Sequence, residues 1–92
     1  MNDYFEPHDF LKELTVHHTN KSGARSTHIE KWHRQYRSIV ERMPNKFLEF
    51  IIMDSKSALR SNPNSVYREK WSDEIAHCKN EIRRRQANGA SE

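Results

Sequence analysis

Lys46-Phe47-Leu48-Glu49-Phe50-Ile51-Ile52-Met53 is the stretch on which the fold turns. Six of these eight residues are large and apolar, in a chain whose mean hydropathy is −1.10. Each of the six contributes roughly 1.5–3 kcal/mol when fully buried. Helical spacing puts Phe47, Leu48, Ile51, Ile52, Ser55, Ala58 and Leu59 on one face and leaves Phe50 and Met53 on a second. A helix with two apolar faces is either central in its fold or part of an interface. Phe and Ile also favour short buried strands. Helical spacing continues through Asp54–Arg60, however, and no other stretch offers itself as a pairing strand.

Working outward, Pro44 sets a corner just before this helix. The residue ahead of a proline is pushed out of helical geometry, and Asn45 is a candidate cap. Upstream, Ile29, Trp32, Tyr36, Ile39 or Val40, and Met43 recur at spacings of three and four, and Thr27-His28-Ile29-Glu30 fits a capping box. This predicts a helix over 27–43. The central helix spans 46–61. Asn62-Pro63-Asn64-Ser65 makes a second corner, with Asn64 or Ser65 as cap. A last helix over 65–85 carries Tyr67, Trp71, Ile75, Cys78 and Ile82 as its apolar stripe. At the other end, Pro7 suits a first helical turn, and Phe10, Leu11 and Leu14 give a helix over 7–18. Residues 19–25 read as a loop, 1–6 as a flexible arm and 87–92 as a disordered tail. The expectation is an all-α single domain over 7–86: a small bundle of about four helices.

Composition narrows the class further. Ninety-two residues with 34% apolar and 32% charged side chains build a small core, which leaves a lone domain marginal and makes a homodimer an expectation. A single cysteine rules out an intrachain disulfide framework. No apolar run is long enough to span a bilayer, and the first residues lack the pattern of a secretory signal, so a cytoplasmic protein is expected, with no membrane partner.

One pattern suggests metal chemistry. Glu30-Lys31-Trp32-His33 and Glu74-Ile75-Ala76-His77 are two Glu-x-x-His sequences on two helices, with Glu13 and Glu49 as single carboxylates on the others. Di-metal carboxylate bundles use this arrangement, because residues three apart share a face. The faces argue against it here. The apolar stripes put Glu30 at the margin of the core, and Glu74 and His77 beside the seam, whereas bundle ligands must point inward. His17-His18 with His28 or His33 is a second combination, suited to a surface zinc or nickel ion. The simpler reading of these, and of His8, is solvated histidines near helix ends. Cys78, on an apolar stripe, reads as a small buried hydrophobe. There is no glycine-rich phosphate loop and no Ser/His/Asp arrangement. The expectation is therefore no catalytic residue, no cofactor and no metal.

Charge is the stronger signal. The net charge is +3, and residues 21–46 carry seven cations against Glu30 and Glu41. Lys31, Arg34, Gln35, Arg37, Ser38 and Arg42 fall opposite the Trp32/Tyr36 stripe, and Arg83-Arg84-Arg85 adds a basic end. Such a face can track phosphates. The competing reading is a solvated face neutralised by Glu30–Arg34 and Arg37–Glu41 pairs. A helix-turn-helix across Pro44 would make the most apolar helix the reader. The last helix, with Arg68, Lys70 and Lys79, suits that role better. Phe50 and Met53, with Tyr4 and Phe5 in the arm, form a candidate protein interface. Together these residues suggest a small basic non-enzymatic binding protein for nucleic acid or a nucleoprotein, with Lys31, Arg34, Arg37, Arg42, Arg83, Arg84 and Arg85 as contacts. The alternative is a protein-directed inhibitor or adaptor, of the kind phages and plasmids encode, docking on a larger complex.

Overall fold

The computed structural model describes residues 7–18 and 25–89. Four helices follow in order: α1 (Pro7–Leu11), α2 (Arg25–Val40), α3 (Asn45–Ser61) and α4 (Arg68–Ala87). There is no strand among the described residues. The protein is a small all-α domain, and none of these helices is long and apolar enough to cross a membrane. The arm at 1–6, with Tyr4 and Phe5, and residues 90–92 lie outside the described residues.

The corner at Pro44 forms as its chemistry demands. After Val40 the chain tightens, with Arg42 and Met43 donating to the carbonyls of Ile39 and Val40 at 3.1 Å. Pro44 then takes the N-cap position of α3 in extended geometry. Its carbonyl accepts from the N–H groups of Phe47 and Leu48. Asn45 is thus the first residue of α3 and not its cap. Thr27 likewise lies inside α2, which begins two residues earlier, at Arg25. At the second corner Ser65 Oγ accepts from the Tyr67 N–H at 3.0 Å, and α4 starts only at Arg68. Its far end reaches Ala87, and the chain leaves through Gly89 in the left-handed region at φ 73°.

The core is shared by α2, α3 and α4, with Cys78 of α4 fully buried in it and α3 packing most extensively on α4. Trp32, Tyr36, Ile39, Val40 and Met43 are buried against Leu48 and Ile51, and Phe47 and Ile52 pack on them. Phe50 and Met53 lie on the exposed side of α3, the second of its two apolar faces.

Two elements differ from expectation. The first is α1, which ends at Leu11 instead of continuing to His18. Lys12, Glu13 and Leu14 close a tight turn with i−3 hydrogen bonds, and the chain then runs as an irregular strap along α2. Gln35 holds that strap. Its Oε1 accepts from the N–H groups of Thr15 (3.0 Å) and Val16 (3.2 Å), and its Nε2 donates to Thr15 Oγ1 at 2.7 Å. Thr and Val are weak helix formers, so a side chain offering hydrogen bonds from another element outcompetes one more helical turn. Leu14 and Val16 pack onto the core from the strap, and Phe10 meets Phe47 edge to face at 5.6 Å.

The second is the rotation of α4. The expected stripe was Tyr67, Trp71, Ile75, Cys78 and Ile82. The buried residues are Glu74, Cys78 and Glu81; Trp71, Ile75 and Ile82 are half-buried and Tyr67 is exposed. A buried carboxylate survives only when paired. Glu74 accepts from Ser55 Oγ of α3 and from Lys70 Nζ, both at 3.2 Å. Glu81 accepts from Arg84 (2.6 and 3.0 Å) and from Arg85 (2.8 Å). These pairs lie within α4 or across its interface with α3, and they permit a polar face to turn inward.

Arg85 closes the structure. Its Nη2 donates to the carbonyls of Val40, Glu41 and Met43 at 3.3, 3.4 and 2.7 Å, and its Nη1 to Asn45 Oδ1 at 2.6 Å. Carbonyls at the end of a helix lack intrahelical donors. One guanidinium from α4 thereby serves the end of α2, the Pro44 corner and the start of α3.

Candidate functional site

The outer face of α2 carries Lys31, Arg34 and Arg37 at a spacing of three, all exposed. Among the described residues none of their side chains forms an ion pair or hydrogen bond, and the Glu30–Arg34 and Arg37–Glu41 pairs are not made. Three cations without an acidic partner among the described residues therefore face solvent along one side of the helix.

The remaining cations of the basic set are partnered. Arg42 forks onto Glu13 of the strap at 2.5 and 3.3 Å. That contact holds the Glu13 carboxyl below its ordinary range and raises the guanidinium of Arg42. Arg84 is tied to Glu81, whose carboxyl is held low by Arg84 first and also by Arg85, against the opposing effect of burial. Arg83 is exposed and bonded to Asn80 at 3.1 Å. Arg85, with a side chain only 15% exposed, belongs to the interior just described and not to a surface. Successive helical residues point about 100° apart, so the Arg83–Arg85 run is not one patch. Gln35, expected on the basic face, lies under the strap.

An open groove of about 270 Å³ separates α2 from α4. Arg37, Val40 and Glu41 wall one side, and His77, Asn80, Glu81 and Arg84 the other. It brings Arg37 of the free cation row and Arg84 of the C-terminal run into one concavity.

Beside the groove the structure assembles four side chains from three segments. His18, at the end of the strap, is 6% exposed and its ring stands edge-on to Trp32 at 4.6 Å. Its Nε2 lies 2.8 Å from Asp73 Oδ2 on α4. His33 Nε2 of α2 lies 3.6 Å from the same oxygen, and His33 Nδ1 lies 2.8 Å from His77 Nε2 of α4. Burial, with the charges of His33 and Arg37, lowers the pKa of His77 against the pull of Asp73, so this ring is held toward its neutral form.

The two Glu-x-x-His sequences thus meet through their histidines but not their glutamates. Glu30 and Glu49 are exposed, Glu74 serves Ser55 and Lys70, and Glu13 serves Arg42. No di-metal carboxylate site is assembled from them. His18 is buried where a solvated ring was expected; His17 is exposed, and the side chains of His8 and His28 lie outside the described residues. Asp73 was not singled out by the sequence. Its partner His18 arrives from irregular backbone, which no spacing rule reaches. Cys78 is buried as expected, and burial pushes its thiol up to about 12, which makes it a poor nucleophile. In comparisons with protein-family models, curated proteins and solved structures, nothing matches this chain.

Proposed function

We propose that this protein acts by binding, not by catalysis, and contacts nucleic acid or a nucleoprotein in the cytoplasm through the outer face of α2. The observation that carries the reading is the row Lys31, Arg34 and Arg37, exposed and without an acidic partner among the described residues. A face already neutralised by its own carboxylates would release little on meeting phosphate; an uncompensated one releases counterions. Arg84 extends the surface across the groove, Arg83 is exposed on α4, and Arg42 and Arg85 are committed to the fold. Fluorescence anisotropy with short DNA and RNA at two salt concentrations tests this. Three to five phosphate contacts give a slope of about −2 to −4.5 in log affinity against log salt. Arg34→Glu with Arg37→Glu abolishes the binding while the far-ultraviolet circular dichroism stays unchanged. Absence of binding at low salt removes the proposal.

A second reading rests on individual exposed apolar side chains. Met53 is 65% exposed and Val66 74%, with Tyr67 also exposed. Exposed apolar groups of this size suit an inhibitor or adaptor that docks on another protein, or a homodimer. Light scattering separates the dimer from the adaptor, and a salt-independent complex with a protein partner would favour the adaptor over the nucleic-acid reading.

A further inference from the structure

We propose that His18, His33 and Asp73 form a binding site for a single Zn²⁺ ion, with His77 positioning the ring of His33. This does not depend on the polyanion reading, since it uses none of Lys31, Arg34 or Arg37.

The geometry is that of a three-ligand set. One ring nitrogen of His18, one of His33 and an Asp73 carboxylate oxygen all lie within 4.8 Å of one another. Zinc bonds of about 2.0–2.1 Å place neighbouring donor atoms of a tetrahedron about 3.3 Å apart. The observed separations from Asp73 Oδ2, 2.8 Å to His18 and 3.6 Å to His33, bracket that spacing. A distance of 3.6 Å is too long for a hydrogen bond, so His33 Nε2 faces the carboxylate without bonding to it.

His77 explains why that nitrogen is available. With a proton on His33 Nδ1, donated to His77 Nε2 at 2.8 Å, the lone pair is left on His33 Nε2, 3.6 Å from Asp73 Oδ2. Metal-binding histidines are held in this way, by a hydrogen bond from the other ring nitrogen. His18 binds through Nε2 with its proton on Nδ1, the ion taking the place of the Nε2 contact to Asp73.

The donor set selects the ion class. Two imidazoles and one carboxylate suit zinc and its neighbours in the first transition row; calcium and magnesium require oxygen ligands. Three protein ligands leave a fourth position for water or an exchangeable donor. Because the ligands come from the strap, α2 and α4, the ion would clamp the strap onto the bundle.

The test is calorimetric titration of tag-free, chelator-treated protein with Zn²⁺, alongside Ca²⁺ and Mg²⁺, and visible absorption after loading with Co²⁺. The expected results are one Zn²⁺ per chain, no heat from Ca²⁺ or Mg²⁺, tetrahedral Co²⁺ bands, and a melting temperature that rises with Zn²⁺. Asp73→Asn keeps the shape and a hydrogen-bond acceptor but removes the charge. It lowers affinity at least about tenfold, with His18→Ala lowering it further. His77→Leu lowers affinity about 10–100-fold, and His77→Gln, which retains an acceptor, recovers part of the loss. Circular dichroism of each metal-free variant establishes that the bundle is intact, so a lost site is distinguished from a lost fold. Zn²⁺ binding that survives Asp73→Asn and His18→Ala, or that disappears with His17→Ala instead, assigns the metal to other histidines and overturns the proposal. So does the absence of stoichiometric binding by the unaltered protein.

Discussion

Two polar clusters on α4 invite comparison. One surrounds Glu81 and Arg85; the other joins Asp73 and His77 to His18 and His33. In the first, Glu81 is shared by two guanidiniums, and Arg85 divides its donors among Glu81, Asn45 and three carbonyls. Its charges are permanent near neutral pH. In the second, three of four members are imidazoles, the anion is 37% exposed, and one ligand arrives on a strap held mainly by Gln35 and Arg42. The first cluster closes the fold. The second joins the strap to partly exposed groups of the bundle, and under the zinc proposal it takes up an ion without dismantling the bundle. Burial alone does not make a polar group structural; what matters is whether its partners are fixed in charge and position.

The largest expected effect breaks the first cluster. Arg85→Ala leaves Glu81 with one partner and the end of α2 uncapped, and should cost about 3–5 kcal/mol in a denaturant melt. Arg84→Ala, which removes an exposed partner, should cost less than about 1 kcal/mol. Similar losses from the two variants would erase the distinction. Next comes the strap: Gln35→Ala removes hydrogen bonds worth about 1–2 kcal/mol in total and should speed amide exchange at Thr15 and Val16, leaving α3 and α4 protected.

Acid should act on the first cluster too. Arg84 and Arg85 hold the Glu81 carboxyl below its ordinary value of 4.5. A depressed carboxyl means that the unfolded chain takes up the proton first. Its stabilising contribution is therefore complete above pH 4.5 and is lost as the pH falls through the lower folded value. Melts between pH 3 and 6 should show this loss, and Glu81→Gln should flatten it. The smallest effect on stability is expected at the surface. Arg34→Glu with Arg37→Glu, and Met53→Ser, should each shift folding free energy by no more than about 0.5 kcal/mol. Only the arginine pair should alter polyanion binding.

Much of this architecture is determined by residues that act locally. Pro44 stops one helix and starts the next because of its own ring. The spacing of Trp32, Tyr36, Ile39 and Met43, and of Leu48, Ile51 and Ser55, dictates which faces of α2 and α3 turn inward. Those faces were legible because apolar burial follows from chemistry and period alone. The free cation row was legible only as a face; whether Glu30 and Glu41 would neutralise it depended on side-chain geometry.

Tertiary structure decided the rest. The strap exists because Gln35, some twenty residues away, offers its backbone better partners than another helical turn would. α4 buries Glu74 and Glu81 ahead of Trp71 and Ile75 because Ser55, Lys70, Arg84 and Arg85 stand ready to pair with them. The period of a helix says which residues share a face. It does not say which of two competing faces turns inward when both can be satisfied. The histidine cluster depends on both outcomes: the strap delivers His18, and the rotation of α4 points Asp73 and His77 at α2.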